Sequence, residues 1–244
     1  MFHYQFLGKE FNISNTLISI DSLSYELNLP IKHVKQVHGD NIVVIRTKDQ
    51  NVTNLEADAI ICAISNVVIG VKTADCIPLL IWGVNQSGKS IVCAIHLGRK
   101  SALLQLATKV IQQLNADFGF KVEDLNCHIG PHLTKLNHVS FEDEWSQFPI
   151  KFVTKMDIGT HVMNNCQLLQ SYLDKNDLAI GDLSTWQSAW IDLTSYVVNQ
   201  LLQCGITLDK IKIDSTDTFI DINYNSYRRD YPSSGSNFSY IWFD

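Results

Sequence analysis

Between His33 and Val139 the chain repeats one pattern: short β-branched, apolar runs separated by Gly, Asn, Asp or Ser. The runs are HVKQVH, NIVVIR, ADAIICA, VVIGVKT, PLLIW, SIVCAIH and NCHIG, and their length and residue types predict successive strands of a sheet-rich core. After the sixth run the period changes. Leu103, Leu104, Leu106, Ala107, Val110, Ile111 and Leu114 recur at three- and four-residue steps, which predicts a helix over Lys100–Asn115. A second helical face carries Val162, Cys166, Leu169 and Leu173. A third helix is expected from about Asp192 to Gln203, closing at Gly205 in the left-handed cap conformation. Two more strand-like runs, KIKID and TFIDI, follow, and a polar loop from Tyr231 to Asn237 precedes a last apolar strand. Helices among many strands without a regular βαβ rhythm give an α+β class. No internal repeat or composition break divides residues 1–244, so a single domain is expected.

Composition narrows the function classes. The formal net charge is −6, and no basic cluster exceeds the pairs Arg99-Lys100 and Arg228-Arg229, which argues against a nucleic-acid groove. No apolar stretch approaches the roughly 18–20 residues of a membrane span, and the N-terminus lacks the pattern of a signal peptide, so a cytoplasmic protein is expected. The six cysteines form no C-x-x-C pair, which argues against both a zinc ribbon and a disulfide framework. Cys62, Cys93 and Cys127 lie within apolar runs, where a small hydrophobe suffices.

Three residues stand at expected strand ends: His38 before Gly39, Cys76 within Lys-Thr-Ala-Asp-Cys-Ile-Pro, and His96 before Leu-Gly. Two imidazoles and a thiolate suit zinc with a fourth position left open for water or substrate. The same residues also support a rival chemistry in which Cys76 is a nucleophile and His96 its base. Spacing alone does not choose between them.

The strings Lys35-Gln-Val-His-Gly-Asp, Ala57-Asp-Ala-Ile-Ile, Lys72-Thr-Ala-Asp-Cys-Ile-Pro-Leu-Leu, Ala94-Ile-His-Leu-Gly and Ile129-Gly-Pro-His occur in this order. The ordered set resembles the motifs of the laccase-domain, or multicopper polyphenol oxidase-like, family. The resemblance covers His33 to Phe148 and resumes at Ile191–Ile206 and at Asn225-Ser-Tyr-Arg-Arg-Asp. It implies a four-layer α/β/β/α sandwich like that of the cytotoxic necrotizing factor catalytic domain, and zinc ligands at His38, Cys76 and His96. It also implies a zinc-dependent purine nucleoside phosphorylase that deaminates adenosine, acting on purine nucleosides and phosphate as a monomer or homodimer. Copper belongs to the family's older label. One His-Cys-His set cannot supply the several copper centres of a true laccase.

On this basis Cys76 and Asp75 are the candidate catalytic residues, and Gln36, Arg228 and Arg229 the candidate substrate-binding residues. Phosphate recognition calls for cations near the metal. For Asp75, a turn whose carboxylate accepts backbone N–H groups explains the string equally well. His132 and His138 are expected at the surface, and His3, His33, His128 and His161 form no constellation. The chain departs from the family where His96-Leu-Gly-Arg-Lys-Ser replaces His-Ala-Gly-Trp-Arg-Gly, and where Ser215-Thr216 and Ser234-Gly235-Ser236 replace Cys-Thr and Thr-Gly-Arg. These changes keep two alternatives open: a metal-free Cys-His hydrolase or amidase, and an altered family member that only binds nucleosides.

Overall fold

The computed structural model describes residues 1–11, 19–155 and 188–244. Its strands are β1 (Phe2–Leu7), β2 (Ile31–Lys32), β3 (Ile42–Ile45), β4 (Ala59–Cys62), β5 (Val68–Thr73), β6 (Ile77–Val84), β7 (Ser90–Leu97), β8 (Leu125–Ile129), β9 (Val139–Phe141), β10 (Val153–Lys155), β11 (Ser188–Ile191), β12 (Ile211–Ile213) and β13 (Asn237–Phe243). The α-helices are α1 (Ile20–Leu27), α2 (Arg99–Leu103), α3 (Leu106–Phe118), α4 (Glu142–Trp145), α5 (Leu193–Gln203) and α6 (Tyr227–Asp230). A six-stranded sheet runs β12-β8-β6-β7-β4-β3, a four-stranded sheet β1-β13-β5-β2, and a small one β10-β11-β9. The mixed α/β class expected from the sequence is therefore present.

Side-chain alternation along the strands explains how the sheets are covered. In β7, Ile91, Cys93, Ile95 and Leu97 join one apolar cluster with α3 and α5, while Val92 and Ala94 face the other way. That second cluster lies between the two larger sheets, because it also takes Ile69 and Val71 of β5 and Ile241 of β13. A third cluster packs Leu23 of α1 with Val68, Phe238 and Tyr240 on the far face of the four-stranded sheet. His96 shares the face of Val92 and Ala94, so it ends the row of residues that fills the space between the sheets.

The β-branched runs from NIVVIR to NCHIG all form strands, as expected. HVKQVH does not. Only Ile31–Lys32 just before it is a strand, and Lys35 makes one isolated bridge with Glu56. The amides of Val37, His38 and Gly39, which a strand would pair with a neighbour, donate instead to the carboxylate of Asp58. TFIDI is a turn, because Asp217 and Asp221 accept the amides of Phe219 and Asn223 two residues on, the local alternative to a ladder.

The helix expected over Lys100–Asn115 is two helices. Gln105 breaks it with φ of 61°, and its side-chain Nε2 donates to the Tyr196 hydroxyl at 2.9 Å. The third expected helix holds: Asp192 caps its start through the Ser195 amide, and Gly205 follows its end at φ of 97°. The expected face of Val162, Cys166, Leu169 and Leu173 lies outside the described residues. Strand β1 and helix α1 carry no strong signal in the sequence; β1 is held by its antiparallel pairing with β13.

Candidate metal centre

Asp58 organises the centre. It is fully buried at the start of β4, and its carboxylate accepts the three consecutive amides of Val37, His38 and Gly39 at 3.2, 3.0 and 2.7 Å. The same carboxylate lies 2.7 Å from Nδ1 of His96, and the Asp58 carbonyl accepts the His96 amide at 2.7 Å. With Nδ1–H donated to Asp58, His96 turns Nε2 outward as a lone-pair donor, the arrangement that metal-binding histidines share. One buried carboxylate thus fixes both histidine-bearing segments. His38 itself sits at φ of 56°, in the left-handed region uncommon for a residue with a side chain, and the three-amide cradle is what holds it there.

Cys76 enters from the turn between β5 and β6. Its neighbour Asp75 has φ of 86°, and its carboxylate accepts from the Thr218 hydroxyl at 2.8 Å and the Arg228 amide at 2.7 Å. The carboxylate ties the turn to distant parts of the chain, and Asp75 is among the residues that line the cavity beyond it. Burial pushes the Asp75 carboxyl above its ordinary range, and bonds from Ser226, Arg228 and Thr218 oppose that rise.

One donor atom each from His38, Cys76 and His96 lies within 4.8 Å of the others. The Cys76 sulfur is 3.8 Å from His38 Nε2, close to the separation of about 3.6 Å that tetrahedral zinc imposes on a sulfur and a nitrogen ligand. Gly98 keeps the space open. A Cβ there would lie 2.9 Å from His38 Cδ2 and 3.2 Å from the Cys76 sulfur, so a side chain would press on two donors at once. The donor set fits a zinc ion with one coordination position left over.

Electrostatics set Cys76 apart from the other thiols. Burial raises Cys62 to about 11 and Cys127 to about 12, and it raises Cys93 well above the ordinary value. Burial acts on Cys76 in the same direction, but the charge of His96 and hydrogen bonds from both imidazoles outweigh it and bring the thiol to about 6. His96 moves the opposite way. Burial works to lower it, yet Cys76 and Asp58 raise it to about 9. Without a metal the donor set therefore favours a thiolate beside a protonated imidazole, and a cation binding there competes with that proton.

A cavity of about 1070 Å³ opens from this centre. Gln36 lines it, but its amide group is paired with the backbone of Lys72 at 2.7 and 2.8 Å and so fixes β5 to the His38 segment. Arg228 lines it too, with Nη2 donating to the Val139 carbonyl at 2.9 Å. Arg229 is placed differently: its guanidinium donates to Asp230 and to the carbonyls of Thr218, Phe219, Asp221 and Tyr224, organising the loop, and it does not line the cavity. Arg99, which stands where the family has Trp, forms a two-pronged ion pair with Glu144 and donates to the Ser140 hydroxyl at 3.1 Å.

His132 and His138 are not surface residues. His132 is 1% exposed and is bonded to the Gly130 carbonyl at 2.8 Å and the Thr194 hydroxyl at 2.6 Å; His138 is 6% exposed and lines the cavity. The loop after Gly130-Pro131 folds inward because its backbone pairs with Asp75 and Thr216. Three site residues escaped the sequence reading: Asp58, Glu144 and His138. Asp58 did leave a signal, since a carboxylate opening an otherwise apolar strand must find donors when buried.

Comparison with known proteins agrees with this architecture. Residues 14–244 match the family model described as multi-copper polyphenol oxidoreductase laccase. A purine nucleoside phosphorylase of Clostridium acetobutylicum is 25% identical over 211 residues, covering 86% of this chain and 76% of that protein. One from Mycobacterium bovis is 23% identical over 228 residues, covering 91% and 77%. Among solved structures, the hypothetical protein YfiH of Bacillus licheniformis superposes with a TM-score of 0.71 at 19% identity, covering 91% of this chain and 78% of that one. YlmD of Geobacillus stearothermophilus gives 0.69 at 16% identity, covering 91% and 77%. With the match spanning nearly the whole sequence, the chain belongs to the multi-copper polyphenol oxidoreductase laccase family.

Proposed function

We propose that the chain is a zinc-dependent purine nucleoside phosphorylase that also deaminates adenosine. The observation that carries the reading is the charge of the cavity beside the donor set. Among the described residues, Lys35, Lys72, Arg99, Lys100 and Arg228 line it against two carboxylates, Asp75 and Glu144, in a chain of net charge −6. A cationic recess in an acidic protein favours an anionic co-substrate. Phosphorolysis replaces the bond from the sugar C1′ to the purine nitrogen by a bond from C1′ to a phosphate oxygen, so it needs phosphate held near a sugar that is gaining positive charge.

His38, Cys76 and His96 would hold the zinc. When bound it supplies Lewis acidity, polarising an oxygen of substrate or water. Asp58 keeps the His96 tautomer, and Arg228 and the cavity lysines offset the charge of phosphate. The names of the relatives support the phosphorylase activity, and the succession of apolar clusters around two sheets supports the four-layer α/β/β/α arrangement that the motif resemblance implied.

The test is metal content by elemental mass spectrometry together with turnover of adenosine in the presence and absence of phosphate. About one zinc per chain is expected, with adenine formed only when phosphate is present, inosine formed in either case, and all turnover lost in His38→Ala and Cys76→Ala. Fully loaded protein that converts no nucleoside would overturn the reading. A second reading rests on the Asp58–His96–Cys76 relay, which is also the layout of a thiol hydrolase. Amide hydrolysis that persists in chelator-treated protein and stops on alkylation of Cys76 would favour it.

A further inference from the structure

His138 is a buried histidine whose ring has no hydrogen-bond partner among the described residues. It is 6% exposed, and the unpaired Nδ1 is itself buried. Buried polar atoms are nearly always paired, so an orphan on a cavity wall points to a ligand atom that completes it. The cavity of the metal centre is the space that this ring borders.

The surroundings of the ring define the ligand. The next two residues gather both nearby guanidiniums: Arg228 donates to the Val139 carbonyl at 2.9 Å, and Arg99 to the Ser140 hydroxyl at 3.1 Å. Burial first, then the charges of Arg228 and Arg99, hold the imidazole neutral. A neutral imidazole offers one N–H donor and one acceptor. Beside the Arg228 guanidinium, the imidazole N–H suits an oxyanion, since a negative charge there gains from the donor and the cation together. Glu144, the carboxylate of this wall, is already committed to Arg99.

We infer that His138, next to Arg228, seats a free phosphate ion in the cavity, with the imidazole N–H donating to one phosphate oxygen and Arg228 compensating its charge. This rests on the phosphorylase reading for the identity of the anion. The sequence alone does not show it, because His138 reaches the cavity only through the inward fold of the loop after Pro131.

The test is calorimetric titration of inorganic phosphate, adenosine and adenosine 5′-monophosphate into zinc-loaded wild type, His138→Phe and His138→Gln. Phenylalanine fills the ring's place without a donor, and glutamine restores one. The expected result is phosphate binding weakened tenfold or more in His138→Phe and recovered to within about threefold in His138→Gln. Zinc content and adenosine binding should stay within twofold of wild type.

A measurement on the wild type stands apart from any folding defect: phosphate should shift the imidazole ¹⁵N resonances of His138. Phosphate that binds His138→Phe as well as wild type, or that leaves those resonances unmoved, overturns the inference. So does a dependence on His138 for the monophosphate ester alone. If no nucleoside is ever converted while phosphate binding still depends on His138, the phosphorylase reading fails and the anion seat stands.

Discussion

Two sets of side chains line one cavity and are held in contrasting ways. The donors His38, Cys76 and His96 sit in a loop, in a tight turn and at the end of an interior strand, and a single buried carboxylate binds three backbone amides and one of the imidazoles. The cationic set, Arg99, Lys100 and Arg228, stands on helices of four or five residues and is held by contacts nearer solvent; the Arg99 and Glu144 side chains are about a third exposed. The first set has little freedom to change residue by residue, because each member leans on Asp58 or on a strained backbone position. The second can be exchanged. It is here that Arg99 and Lys100 stand in place of the family's Trp and Arg, while the donor strings are intact.

The sharpest way to break this contrast is Asp58→Ala. It leaves three amides and the His96 N–H without an acceptor. Unfolding in urea should show a loss of about 3 kcal/mol, and zinc affinity in a chelator competition should fall roughly 10- to 100-fold. Retained affinity would mean that the histidines hold their places without it.

The thiol offers a second test. In zinc-free protein the alkylation rate of Cys76 should rise with pH through a midpoint of about 6, because the thiolate forms above that value, while Cys62 and Cys127, at about 11 and 12, stay unreactive at neutral pH. Zinc should suppress the reaction. A midpoint near 9 would remove the imidazoles' hold on the sulfur.

Gly98→Ala crowds His38 and Cys76 together, and zinc affinity should drop roughly tenfold with the urea midpoint nearly unchanged. Equal losses of both would show that the residue serves the fold rather than the centre. The smallest effect is expected in the second set. Glu144→Gln releases Arg99 toward the cavity, and the KM for phosphate should fall about two- to threefold, at a stability cost below about 1 kcal/mol for so exposed a pair. An unchanged KM would place Arg99 out of reach of phosphate.

Legibility in the sequence followed the same divide. The strands from Ile42 to Ile129 announce themselves because β-branched residues buried on both faces leave few other options. His38, Cys76 and His96 were found through their strings, but the reason they meet was not, since it depends on a carboxylate 20 residues from His38 and 38 from His96 accepting bonds from both. Arg228 reached the cavity and Arg229 did not, a difference fixed by which guanidinium the loop carbonyls of Thr218 to Tyr224 capture. No local pattern distinguishes two adjacent arginines. His138 and His132 looked like surface residues for a related reason: their burial comes from backbone pairing with segments far along the chain.

The placement of β13 has a kinetic consequence. It lies between β1 and β5, with Phe2 facing Phe243 on one side and Thr73 facing Asn237 on the other. Such pairings close very long loops, and contacts of that range form slowly. Until β13 docks, β5 lacks its antiparallel partner, and the turn that presents Cys76 is held only through Asp75 and Gln36. The centre is therefore assembled late, and refolding followed by zinc uptake should lag behind refolding followed by burial of the tryptophans near the six-stranded sheet.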